Sequence, residues 1–233
     1  MTIRYNISVT EELKDIVMAD VVLILAFSFT EAGGVGSLAA NSKTFMQTLV
    51  RFMPIAALAV TLSFVLHEMM HKFVAQHYGA IAGFRTSRNG LMITLITGFF
   101  GFLLGIPGAT MIYTSSFTKR EDGIVSLAGP LTNLAVFAVF LAALLLIAPS
   151  QSSYAYIAIS YTFFISIFLA FFNMLPIPPL DGSKVLRWNK PVYFATMGVI
   201  FVLMVYFTGI PKLTILYMLM MALFFSFFYR TVI

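Results

Sequence analysis

The chain has 233 residues, of which 60% are hydrophobic and 10% charged, with 14 Lys and Arg, 9 Asp and Glu and a net charge of +5. An average soluble domain carries roughly 25% charged residues, and so few charges cannot cover a body containing 25 Phe, 14 Met and 10 Tyr, which excludes an ordinary soluble fold. The basic residues are scattered between apolar segments, as charges that set membrane orientation are, so they imply no nucleic-acid partner, and with no cysteine any metal must be held by His, Asp or Glu.

Apolar segments run over about 16–30, 54–76, 91–106, 124–148, 154–176, 192–208 and 213–229, separated by polar or Gly/Pro-containing breaks. Ahead of the first, Glu11, Glu12 and Asp15 do not fit a cleavable signal peptide. Ser8-Val9-Thr10-Glu11 has the capping-box pattern and predicts a helix starting near residue 9.

The second segment contains His67-Glu68-Met69-Met70-His71, an HExxH. Residues four apart lie one above the other on a helix, so His67 and His71 can present two imidazole nitrogens to one Zn²⁺. Glu68 is then placed to act as general base on the water that such a zinc activates. At this chain's own His and Glu frequencies the motif arises by accident in roughly one such sequence in a thousand. An ionisable residue at membrane depth is, besides, a functional signal by default.

The stretch 91–106 has 16 residues, includes Gly98, Gly101 and Gly105, and is stopped by Pro107-Gly108. It is short for a span and reads as re-entrant. The following Gly108 to Ser116 is partly β-branched and aromatic; it is either a short strand whose edge can pair with an extended peptide or a plain interfacial loop. Glu121 and Asp122, beside Lys119 and Arg120, read as a solvated charge cluster. In Ala128-Gly129-Pro130-Leu131-Thr132-Asn133 the small residue and the Asn four apart predict close packing against the second segment and a hydrogen bond to it.

A catalytic zinc needs a third protein ligand. His77 falls on another helix face near the headgroups, and Asp15 and Asp20 sit at the interfacial start of the first span. Asp181 remains, in the proline-rich segment Asn173-Met174-Leu175-Pro176-Ile177-Pro178-Pro179-Leu180-Asp181-Gly182, where non-helical backbone is tolerated only if buried in protein or lining a wet cavity. Asn173 either caps backbone at a helix end or donates to a developing oxyanion.

Counting Lys and Arg separates two topologies. If 91–106 crosses, they divide 6 against 8; if it does not, 11 share one side and only Lys43, Arg51 and Lys212 the other. The second division is the positive-inside pattern and predicts six spans with both termini cytoplasmic. His67 lies about 20 Å along a helix entering at Pro54, at roughly 1.5 Å per residue, and so in the cytoplasmic half. Asp181 can meet it there only if 91–106 does not cross.

The chain resembles the site-2 protease family of intramembrane zinc metalloproteases. The resemblance rests on HEMMH at 67–71, AGPLTN at 128–133 and NMLPIPPLDG at 173–182, in that order. It implies one zinc held by His67, His71 and Asp181, Glu68 as general base, Asn173 near the scissile carbonyl, and substrates that are transmembrane segments of other proteins.

The expected architecture is therefore an all-α polytopic membrane protein of six transmembrane helices, with a short membrane-associated β or re-entrant element between helices 2 and 3. Residues 1–233 are expected to form one catalytic core with no appended soluble domain, placed in the cell membrane, with a polar channel leading cytoplasmic water to the zinc. Two other readings are a membrane metalloprotease that cuts water-exposed tails and a non-enzymatic metal transporter or scaffold. A third ligand from a Glu would favour the former, and polar residues lining a path through both leaflets the latter.

Overall fold

The computed structural model describes residues 8–103, 105, 107–114 and 117–208. The apolar run at 213–229, the sixth expected span, lies outside these residues, as do Ser115 and Ser116 at the end of the expected strand.

Helix α1 (Val9–Glu31) begins where the capping pattern placed it, with Ser8 as N-cap. The Ser8 side chain makes no capping bond, however, and Glu11 reaches Arg85 at 3.4 Å instead. After α1 the chain bends by 53° into α2 (Gly34–Ala40). Next come α3 (Ser42–Val60), a π-helical turn at Thr61–Val65 and α4 (Leu66–His77), which form one continuous helix of 36 residues. Pro54 does not start this helix but lies inside it. The start is Asn41, whose side chain accepts from the Thr44 N–H at 3.0 Å. The π turn, a form often found beside functional sites, ends two residues before His67.

Strand β1 (Ile81–Thr86) pairs antiparallel with β2 (Gly108–Tyr113), and Phe84 faces Thr110 in the register. Between them α5 (Arg88–Phe99) runs along α1, where Gly98 packs on Ala26 so closely that a β-carbon would lie 2.6 Å from the Ala26 carbonyl oxygen. Its 12 residues rise about 18 Å, short of a roughly 30 Å hydrocarbon core. The chain leaves the ribbon at Thr86 and returns at Gly108, its register partner, with the Ser87 N–H donating to the Pro107 carbonyl at 3.0 Å. The segment thus departs from and comes back to the same end of the molecule.

Helices α6 (Lys119–Ile147), α7 (Tyr154–Asn173) and α9 (Lys190–Phe207) share a core that includes Phe137, Ile167, Phe171, Ile200 and Met204. Glu121, solvated as expected, also completes a capping box with Thr118 at the start of α6. The segment after α7, expected as a loop, contains a two-turn helix, α8 (Asp181–Trp188). It lies against the start of α6, where Arg187 pairs with Asp122 at 2.5 Å and Trp188 covers Gly123. Gly182 packs onto the carbonyls of Met174 and Leu175, where a side chain has no room, and this folds α8 back onto the end of α7.

Four helices among the described residues are long and apolar enough to cross a membrane, or five if the bent α1–α2 pair is one span. This mostly helical architecture is compatible with a polytopic membrane protein. Its ion pairs gather at one end, where α1 begins, α4 ends and α8 meets α6. Tyr161 with Glu31, and Tyr154 with the Arg51 carbonyl, mark the other end.

Candidate metal centre

His67 and His71 face the same side of α4, with their Nε2 atoms 3.0 Å apart. Asp181, the first residue of α8, brings Oδ2 to 3.1 Å from His71 Nε2 and 3.4 Å from His67 Nε2. All three residues are buried. Zinc–ligand distances of about 2.0–2.2 Å in a tetrahedral site require ligand atoms roughly 3.3 Å apart. The observed triangle has that size, and three protein ligands are the number that a catalytic zinc site uses.

Hydrogen bonding orients the site as well. His71 Nδ1 lies 2.7 Å from the carbonyl oxygen of Val125 on α6, and since a carbonyl can only accept, Nδ1 carries the proton. Nε2 then offers a lone pair toward His67 and Asp181, a carbonyl–histidine–metal arrangement of the kind that orients ligands. The Nε2 atoms of His67 and His71 and Oδ2 of Asp181 therefore converge on one point. His67 Nδ1 is buried and has no hydrogen-bond partner among the described residues.

Gly129 on α6 shapes the space in front of these atoms. A β-carbon there would lie 2.6 Å from His67 Nε2 and closer still to His71 Nε2, so only a glycine keeps the volume beside the ligand atoms free. The sequence suggested close packing at Gly129, and the packing is present, but its partner is the imidazole pair itself. Asn133, one turn further, was expected to hydrogen-bond across to the second segment; its fully buried amide has no partner among the described residues.

Glu68 points toward the ribbon. Its Oε2 accepts from the Thr110 backbone N–H at 2.9 Å and from the Thr110 hydroxyl at 2.8 Å. Asn173 sits at the last position of α7 and donates from Nδ2 to the Leu169 carbonyl at 3.0 Å, the backbone-capping arrangement. The set-aside residues stay apart from the triangle: His77 is exposed at the end of α4, Asp15 binds Arg85 and Thr86, and Asp20 accepts from Thr61. Thr110 and Val125 were not anticipated. Their contacts are made by backbone groups of elements distant in sequence, which no local pattern records.

Comparison with known proteins places these observations in a family context. The profile of Peptidase family M50 matches residues 148–205, a stretch that contains Asp181. Three relatives carry the name "Putative zinc metalloprotease". MJ0611 of Methanocaldococcus jannaschii is 46% identical over 145 residues, covering 62% of this chain and 74% of that protein. Rip2 of Mycobacterium tuberculosis is 32% identical over 137 residues, 54% of this chain and 53% of the relative. YwhC of Bacillus subtilis is 28% identical over 161 residues, 61% and 72% respectively. No solved structure matches the chain.

Proposed function

The chain belongs to peptidase family M50, the site-2 protease family, and from that premise we propose that it is an intramembrane zinc endopeptidase cutting transmembrane segments of other membrane proteins. The observation that carries this reading is the triangle of His67, His71 and Asp181, built from α4 and α8 at a Gly129 cradle, with Glu68 one residue from the first histidine.

In this reading His67, His71 and Asp181 hold one zinc ion per chain. When bound, zinc supplies a Lewis acid that polarises the scissile carbonyl and makes water a better nucleophile near neutral pH. Glu68 takes the proton from the attacking water and returns it to the leaving amide nitrogen, so the peptide bond is exchanged for a carboxylic acid and an amine. Asn173 serves the scissile carbonyl once its amide turns from Leu169. A helix hides its carbonyls in its own hydrogen bonds, so the substrate unwinds locally and pairs along the outer edge of β2.

The same reading gives six spans, the last of them outside the described residues, with both termini cytoplasmic and the 87–107 segment re-entrant beside α1. Its support is the return of that segment to its starting rung and the clustering of ion pairs at the end that holds Asp181. A polar channel from the cytoplasm then brings the water that hydrolysis consumes. The ligand set contains Asp181 rather than a third residue from a Glu, which favours this reading over one in which exposed tails are cut. The test is metal analysis of the purified full chain together with cleavage of a fusion carrying a transmembrane segment. One zinc per chain and cleavage within the apolar segment are expected; cleavage confined to a water-exposed tail would overturn the assignment of substrate.

A further inference from the structure

Both outer edges of the β1–β2 ribbon are gripped at a single rung. The Phe84 N–H donates to Glu12 Oε1 at 3.1 Å and the N–H of its register partner Thr110 donates to Glu68 Oε2 at 2.9 Å. This is therefore a pair whose backbone groups point away from the other strand. The two carboxylates lead to the same helix. Glu12 Oε2 binds Lys72 Nζ at 2.7 Å, and Lys72 stands four residues after Glu68 on the same face of α4. One turn of the helix that bears both histidines thus clamps the ribbon from both sides.

Thr110 adds a second anchor. Its hydroxyl lies 2.8 Å from Glu68 Oε2 and 3.0 Å from the Glu68 carbonyl oxygen. Both hydrogen bonds that the described residues make to this carboxylate fall on Oε2, so one oxygen is fixed while Oε1 is left to accept from a reacting water. A base must be held to within a fraction of an ångström to act, and neighbouring hydrogen bonds are the usual means of doing so.

We propose that Thr110 is a positioning residue for the reaction, holding Glu68 through its N–H and hydroxyl so that the base keeps a fixed place relative to the β2 edge. The inference rests on the assignment of Glu68 as the base. A purely structural role, in which the hydroxyl only staples β2 to α4, predicts different behaviour: lost stability with an unaltered turnover in the molecules that remain folded.

The zinc-loaded full chain, assayed on the transmembrane-segment fusion, separates the two. Thr110→Val keeps the strand and its N–H but removes the hydroxyl. It should lower kcat about tenfold or more with KM changed by less than about twofold. Zinc content and thermal unfolding should match wild type, and Thr110→Ser should restore most of the rate. Independently of activity, the Thr110 amide should exchange with deuterium more slowly in wild type than in Glu68→Ala. Wild-type kcat in Thr110→Val, no rescue by Thr110→Ser, or equal exchange rates would each overturn the proposal. A wild-type protein that cuts nothing, or a Glu68→Gln variant that cuts normally, would remove the proposed function and this inference with it. Cleavage by wild type, an inactive Glu68→Gln and an unaffected Thr110→Val would sink the inference alone.

Discussion

Gly129 presents its bare Cα to the Nε2 atom of His71, so closely that a β-carbon there would overlap that nitrogen. In a helix, replacing Gly by Ala ordinarily adds stability, by up to about 1 kcal/mol. Here the new methyl would have to displace the histidines or α6. Gly129→Ala should therefore bind zinc at least about tenfold more weakly while its helix content is kept. Zinc stoichiometry after dialysis against a weak chelator reads this directly, and full retention would show that the ion sits elsewhere.

Asp181 offers the one carboxylate in the triangle, from a different helix than the histidines. Asp181→Asn keeps the shape and removes the charge and most of the ligand strength. Zinc affinity should fall at least about tenfold, since two imidazoles alone leave the ion under-coordinated. A variant with unchanged zinc content would mean that another residue completes the set.

Lys72 and Glu12 form an ion pair in which Glu12 is almost fully buried and also holds the Phe84 N–H. Removing one partner leaves the other charged and buried, at a cost of about 3 kcal/mol. Lys72→Met should lower the unfolding temperature in detergent by several degrees, and adding Glu12→Gln should recover much of the loss. If the double variant is no better than the single one, the two residues are not coupled as the structure has them.

Much of this was readable in the residues themselves. HEMMH sets two histidines on one face of α4 by helix periodicity, and α1 starts near residue 9 as expected, although Ser8 makes no side-chain capping bond there. The elements that escaped are those defined by distant partners. Strand β1 is six residues with a Gly in the middle, too short to show a period, and exists because β2 pairs with it. Helix α8 follows three prolines and has only two turns, held by Asp122, Gly123 and the close approach at Gly182. Pro54 reads as a helix start by local rules, yet α3 runs through it from the Asn41 cap. Glu121 and Asp122 are solvated as their composition suggests, but the capping bond and the ion pair to α8 that they also make leave no mark in composition.

Gly98 lets α5 lie on α1 at the level of Ala26, where a β-carbon would meet the Ala26 carbonyl, Cα and methyl. Gly98→Val should push α5 away and loosen the 87–107 segment. Protease accessibility in that segment should rise, with zinc content unchanged because the triangle is built on α4 and α8. Unaltered accessibility would mean that this contact does not hold the segment.

The central claim is that Glu68 performs the chemistry at a zinc held by His67, His71 and Asp181. It is tested most directly by measuring, in the same purified preparations, zinc content and cleavage of a transmembrane-segment fusion for wild type and Glu68→Gln. The expected result is one zinc per chain in both proteins, with cleavage by wild type and none by the variant. Glu68→Gln cutting the substrate at the wild-type rate would contradict it.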